Sequence, residues 1–132
     1  MWKAKPTPPP QRTREVPDGS CLITESGDRY YVTGGKVLTI PSDSIFDSWS
    51  FPVVFSVPKF LVDSYPKGGT LGFRPGTVRR SLQDSTFYYF SAGLKHQIVG
   101  VDFFKESQIV PSEVRLASAP DIALHKEGSE IL

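Results

Sequence analysis

The sequence predicts an α+β protein, rich in β-strand, with two tandem repeats, each a three-stranded antiparallel meander followed by short helices. The stretch RYYVTGGKVLTIPSDSIF, residues 29–46, is matched in order by FYYFSAGLKHQIVGVDFF, residues 87–104. The 132 residues also include 12 Pro and 11 Gly, and so many turn residues favour short strands over long helices. A match at this spacing indicates one supersecondary unit used twice.

The two stretches align without a gap from Tyr30 onward, and one extra residue falls earlier in the second repeat. The matched pairs are Tyr30 with Tyr88, Tyr31 with Tyr89, Gly35 with Gly93, Ile40 with Ile98 and Phe46 with Phe104. We therefore divide the chain into a Pro-rich basic arm (1–17), repeat 1 (18–72) and repeat 2 (73–132). The repeats should form one compact domain, because one such unit is too small to bury its apolar face.

Three strands are predicted at the start of each repeat. In repeat 1 they are SCLIT, RYYVT and KVLTI, rich in aromatic and β-branched residues. The pair Gly34-Gly35 predicts a hairpin turn that needs positive φ. In repeat 2 the corresponding strands are TVRRS, TFYYFS and LKHQIV.

Short helices and a further strand are predicted after each meander. Ser42 can cap SDSIFDSW, FPVVFSV reads as a strand, and Pro58 suits the first position of a helix in PKFLVDSY. Repeat 2 continues in the same order through VDFFKES, SEVRLAS and APDIALHKEG. The intervening KGGTLGFRPG lacks the G-K-[ST] of a phosphate loop, so it is predicted to link the repeats.

The N-terminal arm is predicted to lie along a neighbouring subunit, the alternative being a solvated tail. Its prolines favour an extended polyproline II conformation, and Trp2 is costly to leave in water. The residues expected to bind a partner are Trp2, Lys3, Lys5, Pro8, Pro9, Pro10, Arg12 and Arg14.

Composition excludes several classes of function. The formal net charge of +1 does not imply duplex nucleic acid or an anionic membrane as a partner. The single cysteine allows no intrachain disulfide, and no apolar run is long enough to span a membrane. We expect synthesis as a soluble chain in a reducing compartment.

No catalytic residue, metal site or cofactor is predicted. His96, His125 and Cys21 lack partners at the spacing of a metal site or a nucleophile and are expected to be structural. Arg79 and Arg80 beside the aromatic run 87–90 resemble a single-strand-binding sheet. Strand alternation must bury one face of that run, and the charge is nearly neutral, so no nucleic acid is expected.

Exposed aromatic side chains are the remaining candidates for binding. Tyr30, Tyr88 and Trp49 could form a sugar-stacking platform or a protein contact. The alternative is that they belong to the core and to ordinary strand edges.

The repeat pattern resembles repeats of actinobacterial cell-surface proteins and of virion proteins from phages that infect those bacteria. In repeat 1 it is carried by Gly19, Tyr31, Gly35, Lys36, Ile40, Pro41, Phe46, Tyr65, Pro66 and Gly68. Repeat 2 keeps Gly76, Thr77, Tyr89, Gly93, Ile98, Phe104 and Gly128. It departs from the pattern at Leu94 and at His125-Lys126.

This resemblance implies a structural protein rather than an enzyme. It implies a minor tail or tail-tip protein, made in the host cytoplasm and located in the virion, with other tail proteins as partners in a homo- or hetero-oligomeric assembly. The alternative is a module that binds cell-wall glycan or a receptor on the bacterial surface and so serves host attachment.

Overall fold

The computed structural model describes residues 16–132, and within them the protein is α+β and rich in strand. The eight arm residues expected to bind a partner lie outside the described residues. The chain divides into two compact units. The first contains the described residues up to Thr39 together with Phe51–Gly69, and the second contains Ile40–Ser50 and Thr70–Leu132.

Ten strands form two five-stranded sheets in the described part of the chain. The strands are β1 (Cys21–Ile23), β2 (Arg29–Thr33), β3 (Lys36–Ile40), β4 (Val54–Ser56), β5 (Lys67–Thr70), β6 (Thr77–Ser81), β7 (Phe87–Ser91), β8 (Leu94–Ile98), β9 (Leu116–Ala117) and β10 (Lys126–Glu127). The helices are α1 (Asp43–Trp49), α2 (Lys59–Asp63), α3 (Asp102–Ser107) and α4 (Ala119–Ile122), with a 3-10 turn at Pro111–Glu113. Among residues 16–132, none of these helices is long and apolar enough to cross a membrane.

Both sheets are built around a meander of three consecutive strands. The first has the order β4-β1-β2-β3-β5 and the second the order β10-β8-β7-β6-β9. In each sheet the strand that follows the meander in sequence pairs in parallel with the first strand of that meander: β4 with β1, and β9 with β6. The first two strands of each meander are antiparallel.

The core of the first unit lies between its sheet and α2. Leu22, Val32 and Val62 are fully buried there. Val16 also belongs to this cluster, with 5% of its surface exposed. The predicted arm ran to residue 17, but Val16 packs on its own unit. Removing its apolar side chain from water lowers the free energy of the folded state.

The second sheet is covered on both faces. The fully buried Phe90 lies on one face, where its ring centroid is 4.6 Å from that of Phe73. On the other face Phe87 packs edge-to-face against Phe104 of α3, with centroids 5.1 Å apart. A strand that is covered on both faces carries apolar groups on both, which accounts for the unbroken aromatic run 87–90.

Helix α1 belongs to the second unit although its sequence lies in repeat 1. Its N-cap is Ser42, as the sequence predicts, and the Ser42 Oγ accepts the Ile45 N–H. The same hydroxyl donates to Asp121 of α4, and Ser44 Oγ donates to the Leu116 carbonyl of β9. These bonds hold α1 against the second sheet.

Two sequence expectations differ from the structure. The predicted linker contains β5, and its Leu71 and Phe73 are buried. Gly68 and Gly69 have low strand propensity, and a Cβ added at position 68 would lie 2.7 Å from a side-chain carbon of Leu38, which would have to move. The ordered match of the two repeats also predicts that Phe46 and Phe104 are both buried, but each is half-buried.

Candidate functional site

A polar cleft of about 420 Å³ lies in the second unit, beside the C-terminal half of α1 and the start of β6. The segment between α3 and β9, which contains the 3-10 turn, forms its third side. The polar side chains that line it are Asp47, Ser48, Thr77, Arg79, Glu113 and Arg115. The cleft thus brings together two cations and two anions from segments far apart in sequence.

Arg79 is the most deeply buried charged side chain in this cleft, with 8% of its surface exposed. Strand alternation turns it toward α1, where its Nε donates to Ser44 Oγ at 3.1 Å and Nη2 donates to the Ser44 carbonyl at 3.2 Å. Nη1 donates to the carbonyl of Val78 at 3.0 Å, and the guanidinium lies over the ring of Phe73. Arg79 therefore ties α1 to the sheet.

The charge of Arg79 is not neutralised by direct contact with an acid. Among residues 16–132 no carboxylate lies within 4.0 Å of its guanidinium. Burial lowers its pKa, the nearby Arg115 lowers it further, and Asp47 acts in the opposite direction. A guanidinium nevertheless stays protonated in proteins, so a positive charge remains at the wall of the cleft.

Arg115 and Asp47 form an ion pair at the rim. Arg115 Nη1 lies 3.0 Å from Asp47 Oδ2, and 65% and 46% of the two side chains are exposed. Ion pairs this exposed contribute little to stability and exchange readily with other partners. Both side chains are therefore available to a ligand.

The backbone of β6 offers a donor to the same cleft. The Ser81 N–H donates to the Thr86 carbonyl across the β6–β7 pair, while the Arg80 N–H points the other way and donates to the Arg115 carbonyl. Since strand N–H groups alternate in direction, the Val78 N–H lies on the same side as that of Arg80. The register turns the Val78 N–H away from β7, and no hydrogen bond from it to a group outside the strand ladders is found among residues 16–132.

The aromatic candidates from the sequence are all half-buried. Tyr30 packs against the core of the first unit, and Lys67 Nζ lies 5.4 Å from its ring centroid. Trp49 donates its Nε1–H to the Gly72 carbonyl at 2.8 Å. Tyr88 lies beside Phe90, and burial followed by the charges of nearby acids raises its pKa.

The residues expected to be structural are engaged in packing. Cys21 is fully buried, and burial raises the pKa of its thiol. His125 is 7% exposed, and His96 donates its Nδ1–H to the Ser129 carbonyl at 2.8 Å. Within residues 16–132 no group of three His, Cys, Asp or Glu side chains could hold a metal ion.

Sequence reasoning missed the polar cleft. Arg79 was noticed only beside Arg80, as a candidate for nucleic-acid binding. Arg79 lies in a strand in which Val78 and Ser81 are also buried, and this position could have indicated a buried charge. Asp47, Glu113 and Arg115 are exposed residues of helix and loop, with no local pattern that sets them apart.

A second surface feature is apolar. A groove of about 400 Å³ beside α3 is lined by Val101, Phe104, Ile109, Val110 and Pro111, with Lys105 and Gln108. Val101 is 67% exposed and Val110 is 47% exposed. Clustered apolar exposure of this kind is typical of contact surfaces between proteins.

No known family model matches this sequence, and no curated protein matches it. Proposals about function therefore depend on the geometry of the chain and on the resemblance of its repeats.

Proposed function

We propose that this protein is a non-enzymatic structural component of a phage virion, a minor tail or tail-tip protein built from two copies of one unit. It assembles with other virion subunits through its N-terminal arm and its aromatic and apolar surfaces. The observation that carries the proposal is the shared strand order of the two sheets, each a meander with a parallel fourth strand beside its first. This is the unit whose sequence pattern resembles those virion and cell-surface repeats.

Matched backbone geometry supports the tandem repeat. The Gly19 N–H donates to the carbonyl of Val32, and the Gly76 N–H donates to that of Phe90, at corresponding positions of the two meanders. Both glycines have φ near +90°, at +92° and +93°. The first helix after each meander, α1 or α3, also ends in the same conformation, because the C-cap residues Ser50 and Gln108 both have left-handed φ.

The positions of the nucleophilic and basic side chains support a non-enzymatic role. Cys21 is buried with a raised pKa, which disfavours the reactive thiolate. His125 uses its Nε2 to accept a backbone N–H, so that nitrogen is not available as a catalytic base. Substituting His96, His125 and Cys21 should affect folding rather than a reaction.

The test is to look for this chain in virions. Virions purified from the bacteria that produce the chain should contain it at a fixed copy number, measured by mass spectrometry against an isotope-labelled standard. A variant lacking residues 2–15, which keeps Val16 in the core, should fold but fail to enter the virion. Absence of the chain from purified virions, or normal entry of the truncated variant, would each contradict part of the proposal.

The second candidate function is recognition of glycan or of a receptor on the bacterial surface. The polar cleft of the second unit favours it, because the cleft combines hydroxyl, carboxylate and guanidinium groups in one concave surface. These groups can donate and accept the hydrogen bonds that the hydroxyl groups of a sugar make. Retention of the purified protein on insoluble cell-wall material would test this function without reference to the virion.

A further inference from the structure

The cleft of the second unit contains a positive charge that no described acid neutralises at contact distance. Arg79 is 8% exposed, and the hydrogen bonds from its guanidinium go to uncharged oxygens of Ser44 and Val78. A guanidinium has five N–H groups, and those bonds use three of them. A buried cation is unfavourable unless an anion compensates it, so the site is suited to bind one.

The Val78 N–H strengthens the case for an anion. It belongs to the strand that carries Arg79, and the register points it away from β7 toward the side on which Arg115 accepts the Arg80 N–H. Val78, Arg79 and Arg115 all line the cleft. A backbone N–H beside guanidinium groups is a common arrangement for holding a carboxylate.

The other polar groups restrict what the rest of the ligand can be. Asp47 and Glu113 are acceptors that would repel a second anionic group. Ser48 and Thr77 add hydroxyl groups, and the cleft is large enough for one sugar ring with its substituents. A ligand that complements the polar groups of this cleft has one carboxylate and several hydroxyl or amide groups.

We propose that this cleft binds an acidic saccharide, with its carboxylate at Val78 and Arg79 and its hydroxyl groups at Asp47 and Glu113. This inference rests on the second candidate function, surface glycan recognition, and names the class of sugar. Arg115 lies at the rim and can leave Asp47 to reach the same carboxylate. Recognition by charge at an open polar cleft predicts weak binding that salt reduces further.

The test compares two sugars that differ in one group. N-acetylmuramic acid carries a lactyl carboxylate that N-acetylglucosamine lacks. With the full chain labelled with ¹⁵N, titration of N-acetylmuramic acid should move the Val78 and Arg79 amide signals in a saturable way. N-acetylglucosamine should move them much less. Equal shifts with the two sugars, or saturable shifts only outside the cleft, would overturn the proposal.

Matched variants separate the role of charge from folding. Arg115→Gln changes an exposed side chain and should weaken binding roughly tenfold, the effect of losing one charge-assisted contact. Arg79→Gln should weaken it more, and a melting curve shows whether that variant folds. Lys126→Gln, an exposed cation elsewhere in the second unit, should leave binding unchanged. Unaltered affinity in Arg115→Gln, together with unaltered affinity in a folded Arg79→Gln, would reject the site.

Retention on cell-wall material shows whether a negative result rejects only the acidic-saccharide site or the second candidate function as well. A protein that is retained but shows no sugar-dependent shift in the cleft binds the wall by another surface, so only this inference fails. A protein that is not retained and shows no shift contradicts the second candidate function as well.

Discussion

The Nε2 of His125 accepts a hydrogen bond from the backbone N–H of Phe73 at 2.9 Å. The imidazole must therefore be neutral, with its proton on Nδ1, and Nδ1 is buried without a hydrogen-bond partner among the described residues. Burial lowers the pKa of His125, the Lys95 cation lowers it further, and the Gly93 carbonyl partly opposes this. The ring also lies against that of Phe90, with centroids 4.6 Å apart and an interplanar angle of 51°.

This arrangement predicts a pH-dependent stability. Below the ordinary histidine pKa of about 6.5 the unfolded chain takes up a proton that the folded chain resists, so unfolding becomes easier as the pH falls from about 7 to about 5. The loss should level off below the folded-state pKa. His125→Gln keeps an acceptor for the Phe73 N–H but does not titrate, so the free energy of unfolding should depend less on pH in urea titrations. An unchanged pH dependence in that variant would show that another group is responsible.

The turn between β7 and β8 carries a second prediction. Ala92 has φ of +51°, and the matching position in repeat 1 is Gly34, at +58°. A left-handed conformation is costly for alanine, and Asn-Gly is the preferred pair in this hairpin turn. Ala92→Asn should raise the free energy of unfolding by about 0.5–1 kcal/mol. Chemical denaturation would show it, and Ala92→Val, with its branched Cβ, should change stability in the opposite direction.

A buried phenylalanine in the second unit and an exposed one in the first allow a matched pair of substitutions. Phe90 is fully buried, and Phe60 is 75% exposed. Phe90→Ala should destabilise the protein by roughly 3–5 kcal/mol, the usual range for a core phenylalanine. Phe60→Ala should change stability by less than about 0.5 kcal/mol. Similar unfolding midpoints for the two variants would contradict the packing described here.

The position of Val16 determines how many N-terminal residues can be removed without a loss of thermal stability. Removing residues 2–15 should leave the melting temperature nearly unchanged, because the described core begins at Val16. Extending the deletion through Pro17 should lower it clearly, since a buried apolar side chain is then lost. Differential scanning calorimetry of the two variants gives the comparison, and equal melting temperatures would mean that Val16 does not contribute to the core.

The sequence predicted those elements that depend only on residues close to one another in the chain. The strands of both meanders, the Gly34-Gly35 turn and the Ser42 cap all depend on residues within a few positions of one another. Periodicity and turn composition therefore identify them. The short strand β5 escaped prediction because Gly68 and Gly69 have low strand propensity, and only its neighbour in the sheet stabilises it.

The candidate site could not be predicted in the same way. Asp47 and Arg115 meet across 68 positions of sequence, and Ser44 meets Arg79 across 35. Nothing in the pattern of α1 indicates which sheet it will cover. The burial of Arg79 follows from that long-range packing, so the cleft is a property of the folded second unit and not of any motif.

The placement of α1 means that no single cut yields two self-sufficient halves. The helix lies in the middle of repeat 1 in sequence, yet its side-chain hydrogen bonds to other described elements are with residues after 70. A fragment that ends at residue 72 would expose the face of α1 that packs on the second sheet. A fragment that begins at residue 73 would expose the side chain of Arg79, which α1 covers in the whole chain. Expressed separately, each should be insoluble or unstable, and mixing them should restore a folded complex. Neither predicted repeat, taken alone, therefore contains a complete second unit.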